Sequence, residues 1–340
     1  MKLDFLLWGG AVVIIGGITY LLFKDNLFPI KVSDPVGHEP PPSSGVDKWG
    51  LKQFYSTAGK EWISNWDNGH PRVIQAKGIA APWPEDPDDA TSTIICPDYG
   101  SQRNQLIIDG RGSMIMSGEH CRNYHRGPWQ NVEMTTWYKK ISVFPSSISV
   151  ILRMAARSEH QDQYKCPGSG RTMGAFELKG NGTVQLRKEL AHTTPDAYAD
   201  NIIANGVKTP KEAGVKFILR NVGTNPTAIL SQAYISNTKD NGGNWVKVLE
   251  KLDSGNWPFT DSAALGGFNN AKDGTGTCKK LPSPTSLWFE PATSCYFRND
   301  GNVTQLSMAS IREIAPAPAS ATASLLAMLA NNESRPHRLT

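Results

Sequence analysis

The sequence predicts an all-β fold, a two-sheet antiparallel sandwich of the jelly-roll kind, preceded by a single transmembrane helix. Three observations support this prediction. Apolar and polar residues alternate along many short segments, which is the period of a half-buried strand. The 340 residues include 31 glycines and 23 prolines, which mark frequent turns. Residues 5–23 form an uncharged apolar run that is long enough to cross a bilayer as one helix.

The apolar run lies within residues 1–25, which we predict to be an uncleaved membrane anchor. A cleaved signal peptide is the alternative, although the residues after Phe23 offer no small-x-small cleavage site. Lys2 and Lys24 flank the run almost symmetrically, so only the amine of the start methionine favours an N-terminus inside and the bulk of the chain outside the cell. Residues 26–47 include the segment SDPVGHEPPPSSGVD, whose prolines predict a semi-extended stalk.

Residues 48–314 carry the strands of the predicted sandwich. QLIIDGRGSMIM reads as a hairpin around Asp-Gly, and AFELKGNGTVQLRKEL reads as a second hairpin that turns near Asn181-Gly182. Further strands are predicted, in chain order, in the segments VEMTTWY, SISVILRMAARSE, GVKFILRNV, AILSQAYIS, NWVKVLEKLD, LWFE, SCYFRN and TQLSMASIREI. Many strands joined by hairpins and longer loops are typical of a jelly roll. Residues 315–340 are low in complexity and are predicted to be a disordered tail.

Composition excludes several classes of function. The formal charge of +4 argues against a nucleic-acid surface, which would show a clustered basic stripe. Five cysteines without a CxxC pair argue against a zinc site and, outside the cell, predict two disulfides and one odd thiol. Sequons at Asn181, Asn302 and Asn332 matter only if the chain is exported. The chain has no GxxxxGK[ST] or GxGxxG nucleotide motif.

One strand face is a candidate binding surface. Arg153, Arg157 and Glu159 alternate on the side of a predicted strand opposite its apolar side. A planar guanidinium can bind a carboxylate with two hydrogen bonds, so these residues suit a groove for an anionic sugar. A solvated sheet face with cross-strand ion pairs is the alternative interpretation.

Three segments in this order, VILRMAARSEH, AILSQAYIS and SCYFRNDGNVTQLSMASIREI, resemble the concanavalin A-like jelly rolls of polysaccharide lyases, particularly those related to family 7 (alginate) lyases. The resemblance covers roughly residues 48–314. Arg157-Ser-Glu159 matches the first half of the family's R-x-E-x-R motif, and Gln161 stands where its second arginine would be. Gln232-Ala-Tyr234 stands at the Q-I-H or Q-V-H motif, with tyrosine in place of histidine. The Y-F-K-x-G-x-Y-x-Q motif is echoed by Tyr296, Phe297, Arg298, Gly301 and Gln305.

The resemblance implies β-elimination on a uronate-containing glycan that is alginate-like or glucuronan-like. By position, Arg157 and Gln232 would neutralise the substrate carboxylate, Tyr296 would be the acid and could also serve as the base, and Tyr234 would replace the histidine. We assign the remaining sugar contacts to Arg153, Glu159, Arg298 and Gln305. His125, His160 and His192 are alternative bases.

The predicted protein is therefore a membrane-anchored extracellular polysaccharide lyase whose partner is a cell-surface glycan. The alternatives are a carbohydrate-binding jelly roll that lost the chemistry and a structural cell-envelope protein. No cofactor and no metal ligand set is predicted, although the acidic segment 85–89 and Asp240 could hold a structural calcium.

Overall fold

Two antiparallel β-sheets, each of nine strands, contain most of the residues that the structure describes. The computed structural model describes residues 44–75, 84–95, 105–118, 121–143, 150–159, 170–191, 197–198, 202–207, 210–236, 244–259, 281 and 283–320. The predicted anchor and most of the predicted stalk and tail lie outside these ranges. In the part of the chain that is described, no helix is long and apolar enough to span a bilayer.

The strands are numbered in the order in which they follow one another along the chain. They are β1 (Gly45–Val46), β2 (Lys52–Gln53), β3 (Thr57–Ile63), β4 (Arg72–Gln75), β5 (Glu85–Asp86), β6 (Asp89–Ile95), β7 (Gln105–Ile108), β8 (Ser113–Gly118), β9 (Arg122–Trp129), β10 (Val132–Val143), β11 (Val150–Ser158), β12 (Thr172–Lys179), β13 (Val184–Ala191), β14 (Ala197–Tyr198), β15 (Ile202–Ala204), β16 (Glu212–Val222), β17 (Ala228–Ser236), β18 (Trp245–Asp253), β19 (Ala292–Asp300) and β20 (Asn302–Ile314).

The strands divide into two sheets, with β1 and β2 forming a separate hairpin. Sheet I has the order β18-β17-β16-β10-β20-β8-β7-β4, and β3 also pairs with β20. Sheet II has the order β14-β13-β12-β11-β19-β9-β6-β5, and β15 also pairs with β13. The chain changes sheets at β5, β7, β9, β10, β11, β16, β19 and β20, which is typical of a sandwich. The predicted all-β antiparallel sandwich is confirmed.

Alternation along the strands fills the space between the sheets with apolar side chains. Leu152 and Met154 of β11 are fully buried core residues, as are Phe217 and Leu219 of β16. The sheets approach closely at Gly174, where an added Cβ would lie 2.8 Å from a methyl carbon of Leu219. Removal of this apolar surface from water is the main favourable term for the sandwich.

Residues 44–56, which we call the strap, lie on the outer face of sheet I. The Phe54 ring contacts the Tyr234 ring edge-on at 4.8 Å between centroids. The Phe54 and Tyr55 amides each donate a hydrogen bond of 3.2 Å to the Glu133 carboxylate. The predicted stalk, which extends to residue 47, therefore runs into a segment that is attached to the sandwich.

The disordered tail was predicted to begin at residue 315, but the first residues of that range are attached to sheet I. Ala317 is buried and forms a bridge with Val222 of β16. The Arg220 side chain donates hydrogen bonds to the carbonyls of Ala315 and Pro316. Sheet I therefore holds the chain for at least three residues beyond the expected boundary.

Candidate functional site

Three rows of cross-strand partners build the outer face of sheet II, which points away from sheet I. Arg153 lies between the core residues Leu152 and Met154, so its side chain points outward. The first row consists, from β9 to β13, of Arg122, Arg298, Arg153, Glu177 and Gln185. The second row consists of Tyr124, Tyr296, Ala155, Ala175 and Arg187. The third row, from β19, consists of Ser294, Ser158, Thr172 and Glu189.

Two neighbouring β-bulges bring the third row onto this face. Ala156 and Arg157 of β11 together oppose one residue of β19, and Met173 and Gly174 of β12 together oppose one residue of β13. Arg157 has a φ of 52°, a left-handed conformation that is uncommon outside glycine. A bulge inserts one extra residue and shifts the alternation of the side chains that follow it. Ser158 consequently lies beside Ser294 and Thr172.

Glu177 is the electrostatic centre of the first two rows. Its fully buried carboxylate forms ion pairs with Arg153 and, at 2.7 Å, with Arg187, and it accepts a hydrogen bond from Gln185. Burial raises the pKa of Glu177, but Arg153 and Arg187 outweigh it and hold the pKa below its usual range. The carboxylate is therefore ionised at neutral pH and fixes the direction of both guanidinium groups.

Asp300 supports the arginines of the first row. Like charges on directly opposite strand positions repel each other. The Asp300 carboxylate lies 2.5 Å from Nε of Arg298 and 3.6 Å from Nη2 of Arg153, and so bridges the two. Asp300 and the charged residues of the three rows together comprise four guanidinium groups and three carboxylates. The carboxylates are those of Glu177, Glu189 and Asp300. These side chains together carry an excess of one positive charge.

A small cavity, which we call the face cavity, lies where the middle of the second row meets the third. Its volume is about 10 Å³, room for about one water molecule, and its walls are formed by Arg153, Thr172, Ala175, Arg187, Glu189 and Tyr296. Ala155 and Ala175 leave room because the aromatic and guanidinium side chains stand to either side of them. The cavity thus brings together an aromatic ring, two cations, a carboxylate and a hydroxyl group.

Of the eight predicted site residues, three lie on this face. Arg153 and Arg298 are in the first row, and Tyr296 is in the second. Glu159 follows the third row at the end of β11, where its carboxylate pairs with Nε of Arg171 at 3.0 Å.

Arg157 is not on this face, because the bulge turns its side chain toward sheet I. The guanidinium donates to the carbonyls of Gln130 and Trp288 and, at 2.8 Å, to Oδ1 of Asn221 on β16. The side chain is fully buried. Arg157 therefore ties the two sheets and a loop together, and the prediction that it binds the substrate carboxylate is not supported by its position.

The other three predicted residues lie on sheet I. Gln232 donates a hydrogen bond of 2.6 Å to Glu250, and Gln305 donates one of 2.7 Å to Ser113. Tyr234 packs beneath the strap, and burial raises its pKa above the usual range, which opposes proton transfer at neutral pH. The structure therefore does not bring Gln232 and Tyr234 together with Tyr296, and the expected convergence of Arg157, Gln232 and Tyr296 in one groove is not found.

Sequence reasoning missed much of the face. Gln185, Arg187 and Glu189 alternate with Val184 and Leu186 in VQLRKEL, the second strand of a correctly predicted hairpin. That alternation was the available signal. Arg122 and Tyr124 gave no comparable signal, because their row partners on β19 are more than 170 residues away in sequence.

His125, an alternative base, belongs to the core. Its ring stacks at 3.6 Å on Trp62, and burial lowers its pKa to about 3, with Asp89 opposing this shift. The imidazole is neutral at physiological pH. His160 and His192 lie outside the described residues.

The acidic segment predicted to bind calcium surrounds an arginine. Arg72 of β4 donates to Asp86 of β5 from Nε and Nη2, at 2.5 and 2.7 Å, and lies 3.2 Å from Asp88. It also donates to the Asn65 amide oxygen and the His70 carbonyl. Among the residues that the structure describes, no group of three or more histidine, cysteine, aspartate or glutamate residues is arranged to hold a metal ion. Asp240 is not one of those residues.

No family model matches the chain, and no curated protein matches it. Several solved structures have a similar course of the chain. A mutant of the alginate lyase Aly36B in complex with alginate tetrasaccharide is 12% identical with a TM-score of 0.39, covering 75% of this chain and 98% of that one. The carbohydrate-binding module CBM66 from Bacillus subtilis is 7% identical with a TM-score of 0.34, covering 71% and 95%. The calcium-bound exoplasmic domain of VIP36 is 7% identical with a TM-score of 0.35, covering 74% and 92%. Similarity at this level does not decide the ligand.

Proposed function

We propose that the protein binds a uronate-containing glycan on the outer face of sheet II, over the face cavity. The observation that carries this proposal is the convergence of Arg153, Arg187 and Tyr296 around a floor of small side chains. A sugar acid needs a guanidinium for its carboxylate, polar groups for its hydroxyls and an apolar surface for its ring. The side chains around the cavity supply each of these, and the excess of one positive charge among the row residues and Asp300 suits a single carboxylate.

The direction of the two arginines adds to this argument. Glu177 holds both guanidiniums beside the cavity before any ligand arrives. Side chains that are already ordered lose less conformational entropy on binding, so preorganisation raises affinity. Glu189 and Thr172 add one acceptor and one hydroxyl group toward the same space.

β-Elimination is the second candidate function, favoured by the place of Tyr296 in the same cavity as Arg153 and Arg187. In that reaction a base removes the C5 proton, the C4–O bond breaks, a C4–C5 double bond forms and an acid protonates the departing oxygen. The resemblance assigns the acid to Tyr296. The two cavity arginines would replace Arg157 and Gln232 as the groups that neutralise the carboxylate and so acidify the C5 proton.

Calorimetric titration of the full chain, solubilised in detergent, tests the binding proposal. Glucuronan and alginate oligosaccharides are expected to bind, and neutral cello-oligosaccharides of equal length are expected to bind at least about tenfold more weakly. Arg187→Ala is expected to remove binding. Arg126→Ala is the matched control, because Arg126 lies on the same sheet but is exposed and paired with Glu85 at 2.7 Å. Equal affinity for charged and neutral sugars would contradict the proposal.

Ultraviolet absorbance of unsaturated chain ends tests the second candidate on the same substrates. Tyr296→Phe is expected to remove any increase in absorbance while binding persists, because only the hydroxyl group is lost. An absence of product from the wild-type protein at every pH between about 5 and 9 would leave binding as the function.

The location remains a proposal as well. We propose that the apolar run at residues 5–23 anchors the chain and that the sandwich lies outside the cell, which would place the face cavity near surface glycans. Extraction of membranes with alkaline carbonate, followed by protease treatment of intact cells, tests this proposal. Release of the protein by carbonate, or protection of the sandwich from protease, would contradict it.

A further inference from the structure

We infer that the outer face of sheet I carries a second site for acidic sugars, and that the strap occupies this site as an internal competitor. The inference concerns the other sheet and goes beyond the proposed site on sheet II, from which it takes only the class of ligand. It is drawn from the charges beneath the strap, from the contacts that the strap makes with them and from the way in which the strap is attached.

The strap covers a group of charged side chains, which we call the strap cluster. It consists of Lys216 and Arg220 of β16, Arg312 of β20 and Glu133 of β10. Nζ of Lys216 and Nη2 of Arg312 lie 2.5 and 2.9 Å from the two oxygens of Glu133. The guanidinium carbon of Arg220 lies 4.0 Å from the centre of the Tyr55 ring. Three cations share one carboxylate, so the strap cluster has an excess of two positive charges.

The strap meets this cluster with groups that an acidic sugar also carries. Its Phe54 and Tyr55 amides donate to the Glu133 carboxylate, as sugar hydroxyl groups do to a carboxylate in a binding site. The Tyr55 carbonyl accepts a hydrogen bond of 3.0 Å from Arg312. A sugar in the same place would therefore satisfy the polar groups that removal of the strap leaves without partners.

Asp47 gives the strap a carboxylate as well. It is the only acidic residue of the strap. Burial raises the pKa of Asp47, and hydrogen bonds from two strap amides and the positive charges of Lys216 and Arg312 oppose this rise. The carboxylate thus lies within the electrostatic reach of the strap cluster. Its departure with the strap would increase the uncompensated positive charge, which favours an anionic ligand.

Aromatic rings provide the apolar part of the covered face. The Phe54 ring packs edge-on against the rings of Tyr234 and Trp245, at 4.8 and 6.1 Å between centroids. Nζ of Lys216 lies 5.0 Å from the centre of the Trp245 ring. Release of Phe54 would expose two aromatic rings beside cations, a combination that suits the ring and the carboxylate of a sugar acid.

The attachment of the strap allows it to leave while the sandwich stays folded. Among its thirteen residues, only Leu51 and Phe54 are buried. Elements with few buried apolar contacts open at a lower free energy than the core does. β3, which follows the strap, pairs with β20 and keeps the strap beside the face after release.

The covered face therefore has two states, and a ligand binds only the open one. Its apparent affinity is reduced by the fraction of open molecules. A titration in the concentration range of the sheet II site consequently reports that site alone. Release of the strap leaves the affinity of the sheet II site unchanged and adds a second, separate site.

Weakening of the strap tests the inference by calorimetry on the full chain in detergent. Phe54→Ala is expected to raise the number of glucuronan oligosaccharides bound per chain from one to two, whereas Val46→Ala should leave it at one. Val46→Ala is the matched control, because Val46 belongs to the strap but is 50% exposed. In Phe54→Ala combined with Arg187→Ala, one ligand should still bind. An unchanged number in Phe54→Ala would overturn the inference. Absence of binding to the wild type, together with one ligand per chain in Phe54→Ala, would refute the proposed function and support this inference.

Trypsin cleavage after Lys52 of the wild-type chain provides the second arm, which decides if Phe54→Ala does not fold. Where reclosing is faster than cleavage, the rate follows the open fraction. A ligand that binds only the open face raises that fraction about tenfold at about ten times its dissociation constant. Glucuronan oligosaccharides at high concentration should therefore accelerate the cleavage by at least about fivefold, and neutral cello-oligosaccharides should not. Unchanged or slower cleavage with glucuronan would overturn the inference, even where calorimetry shows binding to sheet II.

Discussion

On the outer face of each sheet a buried glutamate lies between two cationic side chains. The two faces differ in the groups that complete the hydrogen bonding of that glutamate. On sheet I, Glu133 is fully buried between Lys216, at 2.5 Å, and Arg312, at 2.9 Å. On sheet II, Glu177 is fully buried between Arg153 and Arg187. The strap covers the first carboxylate and donates two backbone amides to it. The second carboxylate has a side-chain amide in their place, and its two arginine partners line the face cavity.

The difference shows how one type of network is closed by the chain in one place and borders a candidate site in another. A buried carboxylate requires partners for all its lone pairs, and on sheet I the chain supplies them from its own backbone. On sheet II the partners are side chains that also line the face cavity. The burial and charge of a glutamate therefore do not distinguish the two faces, whereas the space next to its partners does.

Glu133→Gln is expected to have the largest effect on stability. It leaves Lys216 and Arg312 buried without their counterion, and loss of one partner of a buried pair typically costs about 3–5 kcal/mol. Denaturant unfolding of the full chain measures this free energy, and trypsin cleavage after Lys52 reports release of the strap. Glu61→Gln is the control, because Glu61 is 3.9 Å from Arg312 and 34% exposed, and its loss should cost less than about 1 kcal/mol. Equal costs for the two variants would mean that the strap is not held by Glu133.

Glu177→Gln is expected to cost about 3 kcal/mol in the same measurement, since it also leaves two buried cations without their shared carboxylate. In contrast to Glu133→Gln, it should also lower the affinity for uronides by at least about tenfold, because Arg153 and Arg187 lose the group that directs them. Affinity measured per folded molecule in Glu133→Gln should equal that of the wild type. If both variants bind like the wild type, Glu177 does not orient the cavity arginines.

Lowering the pH should reduce the free energy of unfolding through both glutamates, by less than either substitution does. Burial raises the pKa of each glutamate, but the neighbouring cations outweigh burial and keep both pKa values below the usual range. A group with a lowered pKa in the folded state contributes stability above its unfolded pKa of about 4.3 and loses it as pH falls through the folded pKa. The free energy of unfolding should therefore fall below about pH 4 in the wild type and fall less steeply in Glu133→Gln and Glu177→Gln. Unchanged slopes would show that other carboxylates dominate acid unfolding.

Local patterns in the sequence predicted the strands and hairpins well. The alternation in AFELK and VQLRKEL and the Asn181-Gly182 turn are contained in sixteen consecutive residues, and β12 pairs with β13 as expected. The row that places Arg298 beside Arg153 could not be predicted in this way. It depends on the register between β11 and β19. Seven strands separate these two along the chain, and three of the seven belong to sheet I.

Two errors in the predicted site have physical causes. Simple alternation places Arg153 and Arg157 on one face, but the bulge at Arg157 reverses the direction of its side chain. Motif order placed Gln232 between Arg157 and Tyr296 along the chain, but order does not specify which sheet a strand joins. Gln185 and Arg187 lie between the same two segments in sequence, and they are on the same sheet as Tyr296.

The smallest expected effect concerns the edges where the two sheets meet. Arg72 on the edge strand of sheet I reaches Asp86 on the edge strand of sheet II with two hydrogen bonds, and it occupies the space among the oxygens that a calcium ion would need. We therefore expect millimolar calcium to leave the melting temperature of the wild-type protein unchanged. Arg72→Lys retains the charge but loses the planar fork, and it should lower stability by about 1 kcal/mol. Thermal unfolding with calcium and with chelator measures both effects, and Arg126→Lys, on an exposed pair, is the control. A calcium-dependent rise of several degrees in the wild type would show that the cation site lies elsewhere in the chain.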